Sequence, residues 1–157
     1  MPENESTALG PPLIGALLRV PWETVSERML AGLHARGYED LVAAHLGVLQ
    51  YPGPENMRPS DLAARTRMSK QALNYLLGQM EELGYLERVP DVADQRFKRI
   101  RLTGRGRAAS AAMREIVLEV EAEWTARLGP RRFAELRELL AQLNEAAPGD
   151  RPQVPAR

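Results

Sequence analysis

Cysteine is absent from this chain of 157 residues. That excludes a disulfide framework, a thiolate zinc site, a cysteine nucleophile and thiol redox sensing. Histidine is nearly absent: His34 and His45 are the only two, separated by the helix-breaking Gly37, at a spacing that suits no metal ion. No metal and no cofactor is expected. No apolar run approaches the ~20 residues that cross a bilayer, and the N-terminal stretch is not basic-then-apolar as a secretion signal would be. The chain therefore reads as cytoplasmic, with no membrane partner. A Gly-rich phosphate loop, a His-Glu-x-x-His pair and a Gly-x-Ser-x-Gly elbow are all missing. Glu119, Glu121 and Glu123, at two-residue spacing on a helix, point in different directions and make no carboxylate pair. No enzyme is expected.

Lysine is also scarce. Only Lys70 and Lys98 stand among 21 basic residues, and these balance 21 acidic ones to a formal charge of zero. The balance hides an uneven distribution: residues 1–57 carry −4, residues 58–107 carry +5 and residues 108–157 carry −1. A basic middle third between acidic flanks suggests an anionic partner for that third alone. Arginine, with its forked donors, supplies nearly all of it.

Helical periodicity dominates the rest. The Pro-rich, aperiodic segments 1–12 and 148–157 read as disordered tails. Between them, 13–37 reads as a helical region interrupted at Pro21, which either kinks a helix or begins a second one. A helix from about Glu39 to Gln50 follows. Ser60 is read as the N-cap of a short helix, Asp61–Arg67, with Leu62 and Ala63 inward. Ser69 caps the next, which runs to Leu83 with Ala72, Leu73, Leu76, Leu77, Met80 and Leu83 on one face. Two short helices joined by a tight turn form a helix-turn-helix. Tyr85–Val89 and Phe97–Leu102 then read as paired strands, because Ile100 and Leu102 alternate with Arg99 and Arg101. The polar link between them is a hairpin tip, so the unit is a winged helix over 38–103. A long helix from Gly104 to Leu128 shows Ala108, Ala112, Ile116, Val120 and Trp124 spaced by four, and Gly129-Pro130 breaks it. A last helix, Pro130–Ala146, places Phe133, Leu136, Leu140 and Leu143 together. The fold class is mainly α with a small β-hairpin wing, flanked by N- and C-terminal dimerisation helices (13–37 and 104–147).

The basic unit carries the chemistry. With the leucines packed inward, Lys70, Gln71, Asn74 and Tyr75 face outward at the start of their helix. Asn and Gln pair bidentately with adenine, and Lys takes guanine or phosphate. A helix entering the major groove presents its N-terminal residues to the bases. Between positions 96 and 107 stand Arg96, Lys98, Arg99, Arg101, Arg105 and Arg107 without one acidic residue. Such a wing suits phosphate or the minor groove. Asp94 is out of place there unless it orients Arg96 through a charge-assisted bond.

Residues 38–107 resemble the MarR family of transcription regulators. The resemblance rests on Leu83-Gly84-Tyr85-Leu86-Glu87-Arg88, Asp91, Asp94-Gln95-Arg96, Ile100-Arg101-Leu102-Thr103 and Gly106. With the flanking helices it extends over about 13–146. It implies a homodimer whose terminal helices intertwine, binding pseudo-palindromic double-stranded DNA and released by a small aromatic or acidic effector. By position it also implies backbone contacts from Ser60, Arg65 and Arg67, base contacts from Lys70, Gln71, Asn74 and Tyr75, and a wing contact from Arg96. Tyr75 stands where many members carry arginine, and Pro21 interrupts the first dimer helix.

Dimerisation follows from the residues as well. The last two helices carry more apolar surface than a small winged helix can cover, and Trp22, Trp124 and Phe133 need partners. Trp22, His45 and Leu49 are candidates for the wall of an effector crevice. The resulting expectation is a sequence-specific DNA-binding transcription regulator, a ligand-released repressor acting as a homodimer. Two alternatives are a winged-helix protein-interaction module that binds no DNA and a small-molecule carrier using the dimer crevice.

Overall fold

A computed structural model describes residues 10–145; most of the tails expected at 1–12 and 148–157 lies outside them. The elements in chain order are α1 (Ile14–Ala35), α2 (Ala43–Leu49), α3 (Pro59–Thr66), α4 (Lys70–Glu82), β1 (Leu86–Pro90), β2 (Lys98–Leu102), α5 (Gly104–Leu128) and α6 (Pro130–Glu145). They form two units, one up to Val117 and one from Leu118, so that α5 belongs to both.

In the first unit α1 runs through Pro21 as one helix. Everything before Val25 on it is exposed, and burial begins only with Met29 and Leu33. The helix ends as helices commonly do on a left-handed glycine. Gly37 has φ +89, its N–H donates to His34 and the Tyr38 N–H donates to Leu33. The second helix starts four residues later than the sequence suggests, at Ala43. Asp40 is the reason: its carboxylate accepts from Tyr85 Oη and Arg105 rather than serving a helix start. The first N–H groups of α2 are met differently, with Val42 N–H donating to His45 Nδ1 at 3.2 Å.

Ser60 is not the N-cap of α3. Arg58 occupies that position and Pro59 opens the helix, where its missing N–H and fixed φ suit the first turn. Ser69 does cap α4, accepting from the Ala72 N–H at 3.1 Å. Leu73, Leu76, Leu77 and Met80 form the buried face of α4, whereas Ala72, expected among them, is exposed. The turn between α3 and α4 puts Arg67 at φ +57. That left-handed conformation costs a residue with a Cβ about 1–2 kcal/mol.

The strands pair antiparallel with Leu86 opposite Leu102 and Pro90 opposite Lys98. Each starts one residue later than the alternation suggests, and β1 runs one residue further, to Pro90. Tyr85 N–H donates to Met80 as the close of α4, and Phe97 N–H donates to Asp94 in the wing tip. The outer edge of β2 is also paired. Ile100 exchanges two backbone bonds with Asn56 and Met57, at 2.8 and 2.9 Å, and Leu102 N–H donates to the Glu55 carboxylate at 2.8 Å. An edge so covered offers no template to another strand.

The entry to α5 is the tightest point. Thr103 N–H donates to Tyr85 O at 3.1 Å, while its hydroxyl donates to Gly84 O at 2.6 Å and accepts from Gly106 N–H at 3.1 Å. A Cβ on Gly106 would fall 1.9 Å from Tyr85 O, and one on Gly32 in α1 would fall 2.7 Å from the Ile116 side chain. Ala109, Met113 and Ile116 are the buried positions of α5 in this unit. Ala108 is exposed: a strict spacing of four drifts off a helix of 3.6 residues per turn, and the buried stripe corrects for it by alternating four with three.

In the second unit α5 ends at Gly129, φ +86, and α6 returns beside it, with Arg137 bonded to Glu121 at 2.9 Å. Among the described residues there, Val120 and Phe133 are the buried ones. Leu136 and Leu143, read as lying on the same side of the last helix as Phe133, are exposed. Among the described residues no helix is long and apolar enough to cross a membrane.

Gly106→Ala should unfold more readily than the wild type by about 3 kcal/mol or more in urea, because a backbone carbonyl cannot yield as a flexible side chain can. Gly104→Ala, where an added Cβ meets nothing within 4 Å, should stay within about 0.5 kcal/mol.

Candidate nucleic-acid interface

Lys70, Gln71, Asn74 and Tyr75 all face solvent on the first two turns of α4. Their orientation follows from Ser69, which fixes where the helix starts, and from Leu73, Leu76 and Leu77, which fix the side that is buried. Ser60 is exposed on the second position of α3, and Arg67 is exposed at the α3–α4 turn. Among the described residues neither Lys70 nor Arg67 has an ion-pair partner. Arg67 keeps a cation at a left-handed position where glycine would cost less, so the position holds charge at a conformational cost.

Arg65, placed among the phosphate contacts by the resemblance, points inward. Its guanidinium donates to Gly53 O at 2.6 Å and Val48 O at 3.5 Å and lies 3.1 Å from Met57 Sδ. Burial there lowers its pKa from the usual arginine value. It braces the loop after α2 against α3.

The wing is organised by two aspartates. Asp94 holds Arg96 by a bidentate pair, 3.0 Å from Nε and 2.8 Å from Nη2, and also accepts the Arg96 backbone N–H at 3.1 Å. These bonds from Arg96 keep the Asp94 carboxyl below its ordinary pKa. The Arg96 side chain remains 86% exposed, so its forked head is aimed without being hidden.

Asp91, with only 2% of its side chain exposed, is the second. It accepts from the Ala93 N–H at 2.9 Å, from Arg58 at 3.1 Å and from Arg99 at 2.8 Å. The Ala93 N–H lowers its pKa most; burial opposes, and the two guanidinium groups add to the lowering. Arg58 also stacks over Phe97, 4.4 Å from the ring centre. Arg58, at the start of α3, thereby clamps the wing to the helix-turn-helix. No local pattern in the sequence marks Arg58 for this role. The one available signal was an aspartate two residues before an alanine in a basic hairpin, the spacing of an Asx turn.

The six cations of 96–107 therefore differ. Arg99 is bound to Asp91 and to Asn56 O, and Arg101 pairs with Glu87 at 2.8 Å. Arg105 binds Asp40 and Leu83 O, and Arg107 donates to Leu102 O. Arg96 and Lys98 present exposed charge at the wing. Arg88, from β1, is held by Glu81, and that bond lowers the Glu81 pKa.

Of the residues read as an effector wall, Leu49 and His45 are buried in α2 and Trp22 is 53% exposed on the uncovered part of α1. Both ring nitrogens of His45 are engaged, by Val42 N–H and by Gln79 Oε1. Among the described residues no three His, Asp or Glu side chains cluster as metal ligands.

A short helix, a turn, a second helix with a polar outer face and an antiparallel hairpin clamped behind it define a winged helix-turn-helix protein. Residues 41–96 match the model of the MarR family. Solved structures agree with this fold. MarR from E. coli, in its reduced form, is 24% identical, with a TM-score of 0.70 over 85% of this chain and 98% of that one. The transcriptional repressor CouR, bound to a 23-mer DNA duplex, is 24% identical with a TM-score of 0.65, over 84% of this chain and 92% of that one. A MarR-family protein of Mycobacterium tuberculosis in complex with salicylic acid is 26% identical with a TM-score of 0.63, over 87% and 98%. No curated protein sequence matches the chain.

The clamp has a pH signature. Asp91 titrates lower when folded than unfolded, so its stabilisation is present above about pH 4 and is lost as pH falls through the folded value. Asp91→Asn should lower the unfolding temperature at pH 7, and the gap to wild type should narrow steadily below about pH 4. A gap of constant size from pH 7 to pH 3 would mean that the charge of Asp91 is immaterial.

Proposed function

We propose that this protein is a sequence-specific DNA-binding transcription regulator that acts as a homodimer on a pseudo-palindromic operator. The observation that carries the reading is the start of α4, where Lys70, Gln71, Asn74 and Tyr75 all face outward. They follow the exposed Arg67 of the α3–α4 turn and lie in a lobe whose wing offers an aimed, exposed Arg96. In this reading the four α4 residues meet base edges, Ser60 and Arg67 meet phosphate, and Arg96 and Lys98 follow the backbone or minor groove. Arg65 and Arg99 serve by holding the lobe in shape.

A second copy is the partner proposed for the uncovered apolar surface. At the start of α1, its N-cap Leu13 and Ile14, Leu17, Leu18, Val20 and Trp22 are 44–81% exposed. In the second unit, an open groove of about 710 Å³ runs along Leu118, Ala122, Ala126, Pro130 and Phe133. Apolar surface on this scale marks an interface. Such a dimer places its recognition helices about one DNA turn apart, roughly 34 Å. Repression and release by a small aromatic acid are the finest parts of the reading. They are supported by CouR, described as a repressor on DNA, and by the mycobacterial relative holding salicylic acid.

Selection from random duplex DNA by the purified protein at two salt concentrations tests the reading. Enrichment of a pseudo-palindrome with half-sites about ten base pairs apart is expected. The affinity should fall with salt at a log–log slope of about −0.9 per phosphate neutralised. Gln71→Ala should cost about 1–3 kcal/mol on the selected site and relax its preference at one position. Arg96→Ala should weaken all sequences nearly alike, and Asp94→Ala should follow it. Recovery of no preferred sequence, with equal retention of wild type and Gln71→Ala, would refute base reading by α4.

A further inference from the structure

A line of hydrogen bonds leads from the outer face of α4 into the core. Tyr75, 68% exposed, accepts at its hydroxyl from Gln79 Nε2, one turn further on, at 3.2 Å. Gln79 Oε1 lies 3.3 Å from Nε2 of His45, a buried residue of α2. Nδ1 of His45 accepts from the Val42 backbone N–H at 3.2 Å.

The direction of every bond follows from the innermost one. A backbone N–H only donates, so Nδ1 is the bare nitrogen and the ring proton sits on Nε2. That proton requires an acceptor, which turns Oε1 of Gln79 toward the imidazole and its NH₂ toward Tyr75. A flipped amide would set its NH₂ against the Nε2 proton of His45, donor against donor. With one lone pair of the phenol oxygen taken by Gln79, its own O–H is directed away from the protein, and the bond received strengthens it as a donor. An isolated tyrosine donates or accepts with equal ease; this one has its polarity set from the core.

Resting on the DNA-binding reading above, the geometry points to Tyr75 as a hydrogen-bond donor to an acceptor on duplex DNA, with Gln79 and His45 as positioning residues that impose that polarity. Guanine, thymine and adenine present acceptors in the major groove, whereas cytosine presents only its amino donor. Tyr75 therefore discriminates most against cytosine on the strand it faces. A phosphate oxygen offers the same acceptor chemistry, and the experiment separates the two sources.

Tyr75→Phe, Gln79→Met and the double variant are compared on the selected operator and on its single-base variants, with thermal unfolding of each protein. Tyr75→Phe should weaken binding about 3–10-fold. Gln79→Met should produce a smaller loss of about 2–5-fold. That loss should vanish when Gln79→Met is made in the Tyr75→Phe protein, since the amide then has no hydroxyl to orient. The unfolding temperature should move little in all three, which a merely structural role for Gln79 does not predict. His45→Asn, which keeps an acceptor for Val42 but cannot reach Gln79, should reproduce the Gln79→Met pattern. Loss concentrated at one base pair per half-site identifies a base edge, and uniform loss identifies phosphate; both support the donor assignment. A Gln79→Met loss that is the same with and without the hydroxyl overturns it, as does wild-type affinity in Tyr75→Phe. Failure of the wild type to bind any duplex overturns the DNA-binding reading instead, and the assignment with it.

Discussion

Tyr85 is where the lobe is tied together, and its constraint is mainly one of space. Its carbonyl oxygen stands so close to α5 that only a hydrogen fits at position 106, and it accepts the N–H of Thr103. Its own N–H closes α4 through Met80. Its hydroxyl reaches Asp40 at 2.5 Å, and the guanidinium of Arg105 lies over its ring, 4.5 Å from the centre. Burial raises its pKa first and the neighbouring Asp40 raises it further, so the phenol stays protonated as the donor. Burial acts to raise Asp40 in turn, but the Tyr85 bond and the Arg105 charge hold it below its ordinary value. One residue thus joins the α1–α2 loop, the end of α4, the start of β1 and the start of α5. The bearing of α4 on the core follows from that junction, and with it the residues α4 offers to solvent.

Around this junction the charges divide by what they touch. Most of the arginines that make the middle third basic are bound to carboxylates or carbonyls of the same lobe. Exposed ion pairs such as Arg101–Glu87 contribute little to stability, about 0–1 kcal/mol, but they withdraw a cation from the surface. The clamp at Asp91 differs because the carboxylate is buried and satisfied by three donors. A buried carboxylate left with an unmet lone pair would be costly. What stays outside is a short set: Arg67 at the turn, Lys70 at the head of α4, and Arg96 and Lys98 on the wing. An anionic partner would meet these few charges at defined positions rather than a diffuse basic field.

The order of elements was legible from short-range chemistry. Ser69 caps α4 because its hydroxyl reaches an N–H three residues on, and Gly37, Gly84 and Gly129 end helices at positive φ. The buried set Leu73, Leu76, Leu77 and Met80 follows from periodicity alone. Boundaries failed where a distant group took over a local role. Asp40 looks like a first-turn carboxylate until Tyr85 and Arg105 claim it, and Ser60 looks like a cap until Pro59 begins the helix two residues earlier than expected.

Sequence by itself determined which residues are apolar, which turns require glycine, and that a polar helix start and a cation-rich hairpin stand side by side. Those properties depend on a residue and its near neighbours. Only the tertiary structure decided which arginines keep an outward charge and which are consumed by Asp91, Asp40 or a backbone carbonyl. It alone decided that His45 is wired to Tyr75 through Gln79. Partners such as His45 and Gln79, 34 positions apart, or Asp40 and Arg105, 65 apart, leave no periodic trace, because the contact is made by the fold and not by the spacing.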